Sequence, residues 1–364
     1  MFLCNSNFFS EFLDTKMQKV RPDTFNEFVV IFYFMLLRSV SFCLELIDYS
    51  NDNISHKKND LGKKIKNVEN IYNLENFLSY IYYPSFNFTS PFIPFKNFLT
   101  CMSSKTEKMS LKDVLKFILR IAFSLFLIEF FLRATSTYTT LNYTSYVSDY
   151  FSMTSYIMSM FIRGSLFASK YVVYYGIPTL INKFVGMKTT ELPRCIVLIH
   201  LNSEMWRYFD TGIYEFIKNY LYIPLGGSKS NNTTKFFSLI SSFVFISFWH
   251  GFGTNVSLWS LLNCSMIILE TIYFSVIIKT NLTNQIAKTM SPRVKRYMIC
   301  FLLVVNQIIM YLNASFFLGN LDSTLDLYKL IFLNNKNVLW HFLTVFFAMF
   351  SSTQIRLELI DLFN

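Results

Sequence analysis

The chain has 364 residues, of which 52% are apolar, 19% are aromatic and only 15% are charged. Soluble domains carry about 25% charged residues, so this composition excludes an ordinary soluble protein. The formal net charge of +10 is typical of basic loops beside membrane segments. The sequence contains no stripe of alternating basic and aromatic residues, so it does not indicate a nucleic-acid partner.

The cysteines are scattered and never occur in a C-x-x-C spacing, so neither a disulfide framework nor a zinc site is predicted. Residues 1–27 form a polar N-terminal segment without the basic and apolar order of a cleavable signal peptide. We expect residues 28–364 to form a single multispan membrane domain that is targeted by its internal spans. The six cysteines are Cys4, Cys43, Cys101, Cys195, Cys264 and Cys300.

The first long apolar run, Phe28–Ile47, can cross a hydrocarbon core of ~30 Å as a helix. Arg38 and Glu45 lie seven residues apart in this run, and therefore on one helical face. We expect both to point into the protein, because lipid-facing charges are costly. The alternative, snorkelling to the membrane surface near the helix ends, fits Glu45 better than Arg38. The lysine-rich segment 48–70 is predicted to be a cytoplasmic loop. The three prolines within 77–99 prevent a continuous helix and favour a re-entrant or interfacial segment.

The remaining apolar runs predict an all-α fold, a polytopic transmembrane helical bundle with re-entrant or interfacial segments. Residues 152–180 are compatible with one tilted helix or with a helix followed by a short broken segment. Residues 191–227 are more amphipathic and predict interfacial helices or a re-entrant unit. The other runs lie at 114–132, 236–249, 258–278 and 297–318, with a shorter last segment at 338–350.

His250 is the first candidate for chemistry, because it ends a very apolar run between Trp249 and Gly251. Histidine titrates near neutrality and can take and return a proton. Burial would lower its pKa and keep it a neutral base. From this context alone, a structural histidine is slightly favoured over a catalytic one.

Asp210 is the second candidate, because an aspartate among aromatic residues must be paired, protonated or functional. Arg207 lies three residues earlier, so a pair on the surface of a helix is the competing interpretation. The residues leave this choice open. A metal site is not favoured, because no ligand cluster surrounds either Asp210 or His250.

The pattern MWRYFD…YLYIPLGGS…FVFISFWHG resembles the membrane-bound O-acyltransferase family. Within that family, LPRC at 192–195, MWR at 205–207 and WHG at 249–251 are similar to the Hedgehog acyltransferase branch. His250 follows Asp210 by forty residues, in agreement with that branch. The resemblance covers most of residues 28–364, but we expect the N-terminal helices of the family to be missing.

The resemblance implies a multispan protein of the endoplasmic reticulum membrane. It would move a palmitoyl chain from palmitoyl-CoA to the N-terminal cysteine amine of a secreted Hedgehog-type protein in the lumen. His250 and Asp210 would be catalytic, and Trp206 would gate the passage between donor and acceptor. Arg207 is a candidate for contacting CoA phosphates, although an ordinary membrane-flanking charge is an equal alternative. Cys195 would match a ligand of haem b iron.

Other functions remain open at this point. A lipid O-acyltransferase of the glycerol-uptake or GPI-anchor-remodelling type would share the fold, and LPRC at 192–195 favours protein acylation over it. A non-catalytic regulator of the same family lacks the histidine, so the presence of His250 argues against that class. A transporter could also use buried charges and broken helices, and the lack of an evident internal repeat weakens that interpretation.

Overall fold

Most of the residues that the computed structural model describes are helical, and those residues contain no β-strand. The described residues are 22–55, 71–86, 91–103, 109–135, 137, 143–144, 149–187, 189–274, 289–333 and 336–363. The helices are α1 (Pro22–Ser55), α2 (Leu74–Ile81), α3 (Phe95–Ser103), α4 (Leu111–Ala134), α5 (Met153–Phe184), α6 (Asn202–Tyr208), α7 (Thr211–Ile217), α8 (Asn232–Trp249), α9 (Thr254–Ile272), α10 (Pro292–Leu318), α11 (Leu321–Tyr328) and α12 (Val338–Phe363).

Four stretches of the described residues are long and apolar enough to cross a membrane. They confirm the predicted all-α membrane protein and the spans that were expected at 28–47 and 297–318. The expected runs at 114–132 and 236–249 also form helices, α4 and α8, but these are not among the four. The four stretches are Val30–Asn51 in α1, Thr254–Ile272, Pro292–Leu318, and Val338–Glu358 in α12.

The boundaries of two predicted segments were wrong. The last apolar segment does not stop at residue 350, because α12 continues to Phe363 as a helix of 26 residues. The loop predicted at 48–70 begins too early, because α1 continues to Ser55. Of the two alternatives for residues 152–180, the single helix is confirmed, since α5 runs from Met153 to Phe184 with Pro178 inside it. The predicted break within 77–99 is confirmed, since α2 and α3 are separate helices. Residues 56–70 of the predicted loop and the predicted span end at 275–278 lie outside the described residues.

The described residues group into two compact units. Unit 1 comprises those within 1–124, 171–192 and 210–242. Its apolar core joins α1, α2 and α3 around Phe42, Tyr80 and Phe95, and these rings meet at centroid distances of 4.7 to 5.3 Å. Aromatic pairs at such distances add to the stability of a core beyond the area that they bury.

Arg38 and Glu45 point into unit 1, as the sequence predicted, and each serves the end of a helix. Arg38 is buried and donates a hydrogen bond to the carbonyl oxygen of Ile81, the last residue of α2 (3.2 Å). Glu45 accepts the backbone N–H of Lys96 in the first turn of α3 (2.7 Å) and the hydroxyl of Tyr220. These contacts satisfy backbone groups that a helix terminus leaves without partners.

Unit 2 comprises the described residues within 125–170, 193–209 and 243–364. In this unit α10 packs against both α9 and α12. A second apolar core lies around Tyr156, Met160, Leu327 and Ile331. The single membrane domain that was expected for 28–364 stays a prediction.

Gly212 provides a test of the packing in unit 1. A Cβ atom at this position would lie 2.5 Å from the backbone N and 2.7 Å from the backbone O of Phe92. Helix propensity favours alanine over glycine by about 1 kcal/mol, but crowding of a packed interior costs about 1–3 kcal/mol. Because backbone atoms cannot rotate away, we expect Gly212→Ala to destabilise the protein.

Thermal unfolding in detergent measures this change. Gly253→Ala is the comparison, because its Cβ would meet only the side-chain oxygen of Asn255, at 3.2 Å. A midpoint for Gly212→Ala at or above the wild-type value would contradict the close contact with Phe92.

Candidate functional site

Asp210 is the N-cap of helix α7. Its Oδ1 atom accepts the backbone N–H of Ile213 (3.0 Å), and the N–H of Gly212 also donates to the carboxylate. Aspartate is among the best N-cap residues, because its side chain replaces a missing helical acceptor. Helix α6 therefore ends at Tyr208, and α7 begins afresh after Asp210.

Tyr175 supplies the other partner of Asp210. Its hydroxyl group donates a hydrogen bond to Oδ2 at 2.7 Å from helix α5, and only 3% of the tyrosine is exposed. Burial raises the pKa of Asp210, while the hydrogen bonds from Tyr175, Ile213 and Gly212 oppose that rise. The carboxyl group is thus held between desolvation, which favours its neutral form, and donors that favour its charged form.

Helix α8 ends at Trp249, and His250 is the residue directly after it. The N–H of Phe252 bonds to the carbonyl of Ser247 (2.9 Å), and the N–H of Gly251 bonds to that of Phe248 (3.0 Å). Gly251 has a φ of 93°. This pattern is the Schellman motif, which needs a left-handed residue and so favours glycine. The glycine after His250 therefore stops the helix.

Aromatic rings surround the His250 imidazole within unit 2. Its ring centroid lies 4.9 Å from that of Phe317 and 5.6 Å from that of Trp259, both nearly perpendicular to it. Trp206 of α6 joins the same cluster, with its ring 5.5 Å from Trp259. We call His250, Trp206, Trp259 and Phe317 the histidine cluster.

The histidine cluster has two electrostatic features. Burial lowers the pKa of His250 to about 4, so the imidazole is neutral at physiological pH. The indole Nε1–H of Trp206 is buried and has no acceptor among the residues that the structure describes. A buried donor without an acceptor is costly, so this N–H is available to a bound molecule.

Helix α6, which carries Trp206, is capped by a side chain from another helix. Its N-cap is Leu201, which cannot accept a hydrogen bond through its side chain. Glu270 of α9 takes over this function by accepting the backbone N–H groups of Asn202 and Ser203, the latter at 3.1 Å. A carboxylate is also favoured there by the helix dipole.

Arg356 of α12 contacts the side of helix α6. Its Nη2 atom donates to both carboxylate oxygens of Glu204 at 2.7 and 2.9 Å, and its Nη1 lies 2.9 Å from Nδ1 of His200. Nδ1 also lies 3.2 Å from the carbonyl oxygen of Leu198. Because a guanidinium group only donates, the shorter contact with Arg356 makes Nδ1 the acceptor, and Nε2 then carries the proton and donates to Thr353 (2.7 Å). Burial, followed by the charge of Arg356, lowers the pKa of His200 to about 4.

The other predicted residues lie on the same stretch of unit 2. Arg207 is exposed, and its guanidinium carbon lies 5.9 Å from the ring of Tyr208. Cys195 carries a free, exposed thiol just before the 3₁₀ turn Ile196–Leu198. Within the described ranges, no three His, Cys, Asp or Glu side chains are grouped so that they could hold a metal ion.

The structure brings Trp206 and His250 into one cluster, and it places Asp210 in unit 1 with Tyr175. The sequence analysis did not identify Tyr175, Glu270 or Arg356. Glu270 could have been found as an isolated carboxylate in an apolar run. Tyr175 offers no signal of its own, because it is one of 22 tyrosines.

The ion pair between Glu204 and Arg356 predicts a measurable stability effect. The two side chains are 24% and 17% exposed, whereas Asp326 and Lys329, which also pair, are 36% and 63% exposed. We expect Glu204→Gln to cost about 1–3 kcal/mol, because it leaves a largely buried guanidinium without its counter-charge.

Thermal unfolding of both variants separates the two environments. The control Asp326→Asn should cost less than about 1 kcal/mol, as is usual for an exposed pair. Equal losses in Glu204→Gln and Asp326→Asn would mean that the Arg356 pair contributes no more than a surface contact.

Comparison with known proteins places these residues in a family. A sequence model of the membrane-bound O-acyltransferase family matches residues 7–313, which is most of the chain. This range includes Cys195 and Asp210 and, of the histidine cluster, Trp206, His250 and Trp259 but not Phe317.

Individual relatives match over shorter regions. The protein-cysteine N-palmitoyltransferase HHAT of Mus musculus is 30% identical over 167 residues, which cover 46% of this chain and 34% of that protein. The protein-cysteine N-palmitoyltransferase Rasp of Drosophila melanogaster is 37% identical over 113 residues, 31% of this chain and 23% of that protein. The membrane-bound O-acyltransferase GUP2 of Saccharomyces cerevisiae is 23% identical over 194 residues, 53% of this chain and 31% of that protein.

Proposed function

Because this chain belongs to the membrane-bound O-acyltransferase family, we propose that it is an acyltransferase and that its acceptor is a protein amine. The donor is palmitoyl-CoA, and the acceptor is the N-terminal cysteine of a secreted Hedgehog-type protein. The observation that carries the proposal is the pair of titratable residues, Asp210 and His250, each held at a helix end in surroundings that oppose its charged form. The similarity to two protein-cysteine N-palmitoyltransferases supports the choice of acceptor.

The proposed reaction exchanges a thioester for an amide. The amine nitrogen forms a bond to the carbonyl carbon of the thioester, and the bond from that carbon to the CoA sulfur breaks. One proton leaves the nitrogen, and CoA departs as a thiol that has gained one proton. The protein therefore needs a proton acceptor near the amine and a donor near the carbonyl oxygen.

Asp210 suits the role of proton acceptor. Burial raises the pKa of its carboxyl group toward the working pH, and a base is most effective when its pKa is close to that pH. The hydrogen bonds from α7 and from Tyr175 hold the carboxylate in one orientation. A base with a fixed orientation spends less entropy on reaching the reactive geometry.

His250 suits the role of hydrogen-bond donor to the thioester carbonyl. With a pKa of about 4, His250 does not hold a second proton at neutral pH. A neutral imidazole still carries one N–H group. That N–H can hydrogen-bond to the thioester oxygen as negative charge develops on it. The aromatic rings of Trp259 and Phe317 keep water away and strengthen such a bond.

Trp206 and Arg207 complete the proposed substrate contacts. The free indole N–H of Trp206 lies in the histidine cluster, so we assign to this residue the gate between donor and acceptor. Arg207 is exposed and can meet the phosphates of CoA through charge-assisted hydrogen bonds. The proposed location of the protein is the endoplasmic reticulum membrane, with its protein acceptor in the lumen.

The proposal predicts that two conservative changes abolish transfer without unfolding the protein. Purified protein in detergent receives palmitoyl-CoA and a peptide with an N-terminal cysteine, and acylated peptide is measured by mass. His250→Ala removes the hydrogen-bond donor to the thioester carbonyl. Asp210→Asn removes the base but keeps an N-cap residue. We expect each variant to lose at least about 100-fold of the wild-type rate.

The control is Asp326→Asn, which changes an exposed carboxylate on α11. Thermal unfolding of all variants confirms that they are folded. Equal rates for wild type and His250→Ala would refute the catalytic assignment of this histidine.

A lipid O-acyltransferase is the second candidate, because the chain is also similar to a yeast membrane-bound O-acyltransferase. The same assay with a glycerolipid in place of the peptide separates the two. Acylation of the lipid hydroxyl but not of the peptide would move the chain to this second class. A non-catalytic regulator would acylate neither.

Cys195 is proposed as a ligand of haem b iron. Its thiol is free and exposed, which fits a peripheral group, and a single thiolate is an established type of axial ligand. Bound there, haem would provide a thiolate-ligated iron centre, and no step of the proposed transfer uses it.

Haem loading followed by an absorbance spectrum tests this ligand. Wild type should show a Soret band, Cys195→Ala should lose it, and Cys43→Ala, the control at another exposed free thiol, should keep it. A Soret band of the same position and height in Cys195→Ala would refute the assignment of Cys195 as a haem ligand.

A further inference from the structure

Tyr175 makes a part-buried hydrogen bond to a candidate catalytic group, and nothing in its sequence context suggests a function. It lies on α5, 35 residues before Asp210, and its hydroxyl donates to Oδ2 at 2.7 Å. The tyrosine itself is buried, with 3% of its surface exposed. Charge-assisted hydrogen bonds of this kind are about twice as strong as neutral ones.

The ring of Tyr175 has little freedom to leave this position. Tyr171, one turn earlier on α5, packs edge-on against it with centroids 5.2 Å apart at 89°. The next residue, Gly176, brings α4 so close that a Cβ would lie 2.7 Å from the side chain of Ile121. These contacts fix the phenol relative to α4 and α5, so the hydroxyl is presented to Asp210 in one geometry.

The hydrogen-bond donors to Asp210 can be compared with the number of lone-pair positions on its carboxylate. An ionised carboxylate has about four lone-pair positions. The N–H groups of Ile213 and Gly212 and the hydroxyl of Tyr175 donate to it from within unit 1. Counting the described donors, about one position is left for a proton from a substrate.

We propose that Tyr175 is a positioning residue for the acyl transfer: its hydroxyl holds the Asp210 carboxylate in its proton-accepting form and directs the remaining lone pair to the substrate. The inference rests on the proposed function. Tyr175 does not transfer a proton itself, and it acts only through Asp210.

The groups that face the carboxylate support this role. Tyr175 gives the largest of the hydrogen-bond contributions that lower the pKa of Asp210 against the effect of burial. The other groups of unit 1 that face it are the N–H groups of Gly212 and Ile213, with Tyr171 behind Tyr175. Without the phenol, the pKa of Asp210 would rise, so the base form would be lost at a higher pH.

A purely structural role makes a different prediction. If the hydroxyl only anchored α7 to α5, its loss would lower the thermal midpoint and reduce the rate by the same factor at every pH. A positioning role shifts the pH dependence of the rate, because the base becomes protonated at a higher pH.

The test is the pH profile of kcat for peptide acylation in wild type, Tyr175→Phe and the control Tyr174→Phe, which changes a tyrosine of α5 that is 40% exposed. Tyr175→Phe removes one oxygen atom and keeps the ring. We expect the acid limb of its profile to move up by about one pH unit, since a hydrogen bond to a charged group contributes about that much. The rate on that limb should fall about tenfold, while KM for palmitoyl-CoA and the profile of Tyr174→Phe stay at wild-type values.

Fluorotyrosine at position 175 is the second measurement, and it decides the matter if Tyr175→Phe does not fold. Fluorine makes the phenol a stronger donor without changing its shape appreciably, so the acid limb should move to lower pH. An acid limb that stays in place in both variants would overturn the positioning role.

The outcomes also separate this inference from the proposed function. Transfer by wild type to the peptide or to a glycerolipid, with an unshifted profile in the variants, would overturn the role of Tyr175 alone. No transfer by wild type to either acceptor would overturn the proposed function together with the role of Tyr175.

Discussion

Helix ends inside an apolar protein need partners for their backbone groups, and this requirement organises the candidate site. Each end that lacks water must find a side chain or a turn of the chain. Glu270 serves α6, Asp210 serves α7, and the glycine after His250 lets α8 close on itself. The residues that are proposed to react are therefore also residues at which helices begin or end, and their positions are as well determined as the helices themselves.

The same requirement sets the electrostatics of the two candidate catalytic residues in opposite directions. Asp210 is a half-buried acid whose pKa is raised by burial, and His250 is a half-buried base whose pKa is lowered by burial. Both shifts favour the neutral form, because low-polarity surroundings penalise charge. The hydrogen bonds at Asp210 counter that penalty, whereas aromatic rings form the described surroundings of His250. The difference is the physical basis for assigning proton acceptance to the acid and hydrogen-bond donation to the imidazole.

Helix α6 shows how distant parts of the chain support one short segment. It has seven residues, which is too short to be stable by itself. Glu270 from α9 and Arg356 from α12 hold its start and its side, and Trp206 on the same helix reaches the histidine cluster. A change at Arg356 would thus be felt at Trp206 through the orientation of α6, although the two residues are 150 positions apart in the sequence.

The helical membrane class, the break within 77–99 and the inward direction of Arg38 and Glu45 could be predicted from the sequence, because hydropathy, proline chemistry and helical periodicity are local properties. The motifs that resemble a known family are likewise visible in the sequence. The cap formed by Asp210, the ends of α5 and α12, and the supporting contacts of Tyr175, Glu270 and Arg356 became visible in the folded chain. Those contacts join residues that are 35 to 152 positions apart, and no local pattern encodes which of many tyrosines or charges will meet.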